Sequence, residues 1–407
     1  MGLVALTAVA GAGALAFGFS WGMLHFGFFG RYQIVDVGAY QAYGDAVMDG
    51  KVPYRDFHLG YPPFALPVFI VPSFASAAHY RGVFEFLMLQ CGVAAVGFAA
   101  LTLRAVGASL ARIAVAVGFI ALAPLVLGSV VLSRYDLWPA AITAAALAAL
   151  VSGRPRLASG LLAVAVAAKF YAAVLLPLAL VFVYRQRNGR EALKALAVFV
   201  LVLAPLTIPF LFGGNGLADT SHDQATRALQ IETLGSSILL AAHQLGAYAA
   251  TVVSGPGSQN LAGDLPDMLA TVSAAVQALA VFVVWVLYAR GPATRERLLM
   301  ASAAALAAFV AFGRVLSPQY LVWLVPVVPL VAGRLGLAAA GILTAALALT
   351  QAWFPQRYFD LVALQGETWL VLARNLVLVL LYSLLTIGLR ARSGPTLMFR
   401  QPARGES

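Results

Sequence analysis

The chain is short of nearly everything a soluble globule of its length uses. Of 407 residues only 10% are charged while 62% are hydrophobic, and the mean hydropathy is +0.89, a balance that belongs in a bilayer. One cysteine, Cys91, sits inside an apolar run, which excludes a disulfide framework and a thiolate metal site. The five histidines are scattered, and no His, Asp or Glu recurs at zinc-ligand spacing along a helix. Asp219 and Asp223 come nearest to a ligand pair, so no metal and no cofactor is expected. There is no glycine-rich phosphate loop and no soluble domain to hold a nucleotide. No basic segment precedes the first apolar run, which therefore reads as a retained span and not a cleaved signal.

What remains is hydrocarbon punctuated by charge. A bilayer core of about 30 Å takes about 20 apolar residues per helix. Apolar runs fall near 3–28, 82–103, 111–131, 137–151, 157–168, 170–184, 194–212, 268–289, 297–312, 319–332, 336–353 and 370–390. That predicts an all-α polytopic membrane protein, a single integral domain over 1–407, with about twelve transmembrane helices. Several runs, notably the two flanking Lys169, are short enough to be packed or half-length helices. An even number puts both termini on one side. The connections that would then be cytoplasmic, with a basic tail over 391–407, hold 16 of the 26 basic residues against three acidic ones. By the positive-inside rule that side is the cytoplasm. The net charge of +10 is thus a topology signal, and no nucleic-acid partner is implied.

The predicted external segments are longer and hold the unusual residues: 29–81, 132–136, 213–267, 313–318 and 354–369. Within the first, residues 36–49 read as a short interfacial helix ended by Gly50. Residues 51–61 read as an irregular loop, and 62–78 as a second interfacial helix begun by Pro62 and Pro63. Residues 213–267 form a second external loop, expected to be partly helical across 235–253. Asp36 either caps the first short helix or does chemistry. Asp56 is the rival carboxylate, although Arg55 beside it suits a loop-bracing ion pair, and Asp45 and Asp49 read as a solvated face. Arg134, Lys169, Arg314 and Arg374 fall at expected external ends of spans, where a basic residue either snorkels or meets an anion. Lys169 is too deep to snorkel and calls for a partner, a phosphate or Asp136. Trp323 and Trp353 read as interfacial anchors.

The order of these motifs carries a resemblance. Asp36-Val-x-x-Tyr40, Val-Pro-Tyr54-Arg55-Asp56-Phe and Tyr61-Pro-Pro are followed by Ser-Arg134-Tyr-Asp, Ala-Lys169-Phe-Tyr, Arg227-Ala-Leu-Gln-Ile-Glu232-Thr and Ser-Pro-Gln319-Tyr-Leu-Val-Trp-Leu. Together, over residues 30–330, they resemble glycosyltransferase family 87, the actinobacterial-type polyprenol-phosphate-mannose-dependent mannosyltransferases of the C superfamily. The resemblance implies a C-type glycosyltransferase architecture and a catalytic base at Asp36. It also implies an inverting transfer of a hexose, mannose, from a polyprenyl-phosphate sugar to a glycolipid or lipoglycan acceptor on the extracytoplasmic face. Substrate contacts are then expected from Tyr40, Tyr54, Arg55, Asp56, Tyr61, Arg134, Lys169, His222, Arg227, Glu232, Arg314 and Gln319. The same motifs admit a polyprenyl-phosphate pentose (arabinofuranose) donor. A lipid or sugar-lipid translocase is the alternative of a different class, and it would place charge along a path through the membrane.

Overall fold

The computed structural model describes residues 2–211, 216–255 and 257–391, so the basic tail lies, from residue 392, outside the described residues. Among these, seven helices are long and apolar enough to cross a membrane: Leu3–Met23, Ala77–Ala105, Leu110–Leu127, Gly189–Phe210, Asp264–Arg290, Gly333–Trp353 and Thr368–Ala391. The remaining apolar runs are shorter helices: Leu137–Val151, Pro155–Ala168, Phe170–Gln186 and Pro318–Leu330. Arg295–Phe312 joins them, with Arg295, Glu296 and Arg297 in its first turn. The chain is therefore a multi-pass membrane protein: among the described residues seven helices are long and apolar enough to cross, while Arg295–Phe312, at 18 residues as long as Leu110–Leu127, carries three charges in its first turn. The breaks have local causes. Lys169 adopts extended backbone between two helices. Pro326 and Pro329 split the 319–332 run into turns at Pro318–Trp323 and Val328–Leu330, because proline cannot donate into a helical ladder.

Two of the short helices make the centre. Nearly every residue of Leu137–Val151 and of Arg295–Phe312 is buried in protein, and both are alanine-rich, so neighbouring backbones approach closely. The opening helix uses glycine in the same way. A Cβ at Gly13 would collide with Val117, and one at Gly92 would collide with Phe17, so both positions need a bare backbone. Caps on the connecting loops take up free backbone N–H groups: Ser109 accepts from Arg112 N, Asn188 from Glu191 N and Thr294 from Arg297 N.

These connections cluster at one end of the bundle. Arg112 pairs with Glu296 and also donates to the Leu330 carbonyl. Arg185 donates to Gly291 O, Arg187 to Gly153 O, and Arg295 to Ala105 O. The opposite end gathers residues 32–65 with residues 129–136, 226–233 and 313–320.

Three expectations need correction. The fold is not purely helical: Val252–Gly255 and Ser258–Leu261 pair as an antiparallel hairpin, and the helix expected over 235–253 is confined to Leu234–Gln244. Gly257, in left-handed backbone (φ 68°), suits the reversal between the strands. Trp323 and Trp353 are 2% and 0% exposed, so they are core residues and not headgroup anchors. Their rings are held by protein partners, Tyr171 and Tyr320 for Trp323 and Phe354 and Tyr358 for Trp353.

A carboxylate and guanidinium cluster at one end of the bundle

Asp36 precedes the helix Val37–Met48 but makes no side-chain capping bond, so its carboxylate is free of the duty that position usually imposes. Instead it pairs with Arg134. The extended segment leading to it is tied in place: Ser129 Oγ donates to Tyr32 O and Ser133 Oγ to Ile34 O, each at 3.1 Å. The Arg134 side chain is 8% exposed and that of Asp36 33%. One face of the pair is thus walled by protein while the carboxylate keeps an open side.

Behind Arg134 lies a second pair. Lys169 Nζ meets Asp136 Oδ1 at 2.6 Å, and the same oxygen accepts from Trp323 Nε1 at 2.8 Å. The ammonium lies 4.6 Å from the centre of the Tyr135 ring, 5.1 Å from Trp323 and 5.2 Å from Tyr320, an aromatic box that suits a cation. Of the two partners that the depth of Lys169 demanded, the structure supplies Asp136. The charge of Arg227 reaches Lys169, Tyr320 and Glu232.

The first external loop packs under this cluster. Tyr40 is buried and stacks on Phe69 at 4.4 Å, with Tyr61 and Tyr135 edge-on at 5.7 and 5.8 Å. Tyr54, in left-handed backbone (φ 66°), donates from its hydroxyl to Tyr61 O at 2.5 Å. Tyr40, Tyr54 and Tyr61 therefore hold the loop through their rings. Asp56 is occupied: Arg55 Nε and Nη2 grip it at 2.8 and 2.9 Å, and Val52 N–H donates to it at 2.8 Å. Arg55 and that backbone bond hold its carboxyl down at about 2. This is the loop-bracing arrangement. Asp56→Asn should leave transfer activity near wild type; a loss as large as that of an Asp36 variant would reinstate Asp56 as a base. Asp45 and Asp49 are exposed, as a solvated face requires.

The second external loop closes the far side. Gln230 N donates to Arg314 O and Gln230 Nε2 to Ser317 Oγ, both at 3.1 Å. Ile231 N bonds Gln259 O and Leu261 N bonds Leu229 O, at 3.0 Å each, so the unforeseen hairpin backs this segment. Glu232 is 2% exposed; Arg374 Nη2 and Asn375 Nδ2 donate to its carbonyl at 2.7 and 3.1 Å. Arg374 is fully buried and so does not snorkel. Gln319 and Arg314 are half-buried at the rim. His222 is exposed on the helix Gly216–Ala225, away from the contacts described, and the side chain of Asp223 lies outside the described residues. Sequence reasoning passed over Tyr135 and Asn375; an Arg-Asn pair seven residues into an apolar span is the signal that could have flagged the latter.

Burial pushes the Glu232 carboxyl up to about 7, against the pull of Arg374 and Gln230. The folded chain thus holds this proton more tightly than the unfolded chain, whose carboxyl titrates near 4.3. The associated stability is present below the unfolded value and is lost as pH rises through about 7. Wild type should melt lower at pH 8 than at pH 5, by about 3 kcal/mol at most, whereas Glu232→Gln should not. Equal pH dependence of the two melting curves in detergent would contradict this.

A multi-pass bundle whose buried charge is concentrated at one end, around a half-open carboxylate, has the layout of a membrane enzyme acting at a bilayer surface. The model of glycosyltransferase family 87 matches residues 57–318, and the chain belongs to that family: it is a membrane glycosyltransferase. Among solved structures, the crystal structure of ArnT from Cupriavidus metallidurans bound to undecaprenyl phosphate aligns with 95% of this chain and 77% of its own, with a TM-score of 0.48 and 13% identity. No curated protein matches the chain.

Proposed function

We propose that the chain transfers a hexose, mannose, from a polyprenyl-phosphate sugar to a glycolipid or lipoglycan acceptor, with inversion, at the extracytoplasmic face of the cell membrane. The observation that carries this reading is the Asp36 carboxylate, uncapped and one-third exposed beside Arg134. Family membership supplies the reaction class. The opposite end of the bundle, with Arg112, Arg156, Arg185, Arg187 and Arg295, supports placing that end in the cytoplasm.

Phosphate is a good leaving group, so one base suffices, unlike glycoside hydrolysis with its two carboxyls. The acceptor oxygen attacks the anomeric carbon from the face opposite the phosphate and its proton passes to Asp36. The bond from that carbon to the phosphate oxygen breaks, and polyprenyl phosphate leaves. Arg134 orients the carboxylate, while Arg227 and Arg314 at the rim are the cations available to the donor phosphate. Membranes containing the protein, given radiolabelled β-linked polyprenyl-phosphate mannose and a lipid extract, should yield an α-mannoside. A β-product would overturn the single-base mechanism, and no transfer to any lipid would overturn the function.

A further inference from the structure

Several buried polar atoms around the cluster have no hydrogen-bond partner, and their chemistry is uneven. Asp136 Oδ2, Gln230 Oε1, Glu232 Oε2 and Gln319 Oε1 are acceptors; Arg134 Nε and Arg374 Nε and Nη1 are donors. Native proteins leave few such groups unmatched, because each carries a desolvation penalty. The pair Glu232 and Arg374 is the most telling. Each is at most 2% exposed and each feels the other's charge, yet the carboxylate oxygen and two guanidinium nitrogens remain unpartnered. A hydroxyl group accepts from a guanidinium and donates to a carboxyl at once. A phosphate does not fit, since a dianion has no proton to give to the oxygens of Gln230, Glu232 and Gln319. Position agrees with this. The charge of Glu232 reaches Arg134, and Arg134 pairs with Asp36.

We propose that Glu232 and Arg374 bracket a hydroxyl of the sugar bound beside Asp36, with Gln230 and Gln319 extending the same hydroxyl-reading face. The inference rests on the transferase reading above and adds the part of the site that selects the sugar. The sugar is either the donor mannose or the sugar of the acceptor, and the chemistry is the same for both.

The test compares wild type with Glu232→Gln, using polyprenyl-phosphate mannose and its four monodeoxy analogues, and in a second arm a purified acceptor glycolipid and its deoxy forms. Wild type should discriminate against one analogue by about 10- to 150-fold in kcat/KM, the range of a charge-assisted hydrogen bond. In Glu232→Gln that one ratio should fall toward unity while the ratios at other positions persist. The arm in which it falls identifies whose hydroxyl is read. Gln319→Leu, at a half-buried rim position, should narrow the same ratio by less and guards against misfolding of the first variant. Unchanged ratios in both arms, or an equal loss on every substrate, would overturn the inference while leaving the transferase assignment standing. Absence of transfer by wild type would remove both.

Discussion

Asp36→Asn should lower the transfer rate by about 10²- to 10⁴-fold, the usual contribution of a positioned general base, and leave the fold intact. Asparagine keeps the size of the side chain and an oxygen for Arg134 but cannot take a proton from the acceptor. The Asp36 side chain is one-third exposed but that of Arg134 only 8%, so losing the carboxylate charge should lower the melt somewhat, the amide oxygen keeping a partner for the guanidinium. The decisive comparison is between kcat and the melting temperature in detergent. Collapse of kcat in a variant that still melts cooperatively is the expected result; wild-type turnover by Asp36→Asn would end the assignment of this residue as base.

The largest effect on stability should come from Lys169→Met. Removing the ammonium leaves Asp136, whose side chain is 2% exposed, charged and buried with only Trp323 Nε1 as a partner. Breaking a buried pair from one side typically costs about 3–5 kcal/mol. The double variant Lys169→Met/Asp136→Asn removes the orphan charge and keeps an acceptor for Trp323, so it should recover much of that loss. Urea or thermal melts of the two variants decide the matter. If the single variant is as stable as wild type, or the double variant is worse than the single, the pair is not the brace described here.

Much of the bundle was legible because a membrane span is written in composition: most of the twelve apolar runs became α-helices, while 319–332 became short 3-10 turns. Crossing length was harder to read, since a run such as 319–332 is apolar whether it spans or turns, and its two prolines decide between these. In the first loop the local breaks were legible, although the second helix stops at Ser73 and the next span begins at Ala77, inside the stretch read as loop and helix. Gly50 (φ 80°) follows the helix Val37–Met48, and the Pro-Pro pair opens the next helical segment. The hairpin at 252–261 was missed because it is short and lies within a long polar loop where periodicity gives no signal.

In the site, local sequence showed which residues carry chemistry but not which of them meet. The Arg55–Asp56 pair could be read directly, as neighbours. Asp36 with Arg134, Asp136 with Trp323, and Glu232 with Arg374 are tertiary pairs joined only by folding. Trp323 was misassigned for the same reason: a tryptophan beside a span end suits either a headgroup or a core, and its partners Tyr171 and Tyr320 are not its sequence neighbours on both sides. Arg374 looked like a surface cation because nothing in its own helix reveals that the Glu232 carbonyl accepts from it.

The lacing of this end of the molecule bears on how it is made. Asp36 is synthesised before Arg134 and Lys169, and Arg374 arrives on the last described helix. The cluster draws a member from each, so a nascent chain carries the Asp36 carboxylate through much of translation without its later partners. On the reading proposed above, competence for sugar transfer begins only when the helix Thr368–Ala391 has entered the bilayer. A truncated product, however well inserted, would be inert.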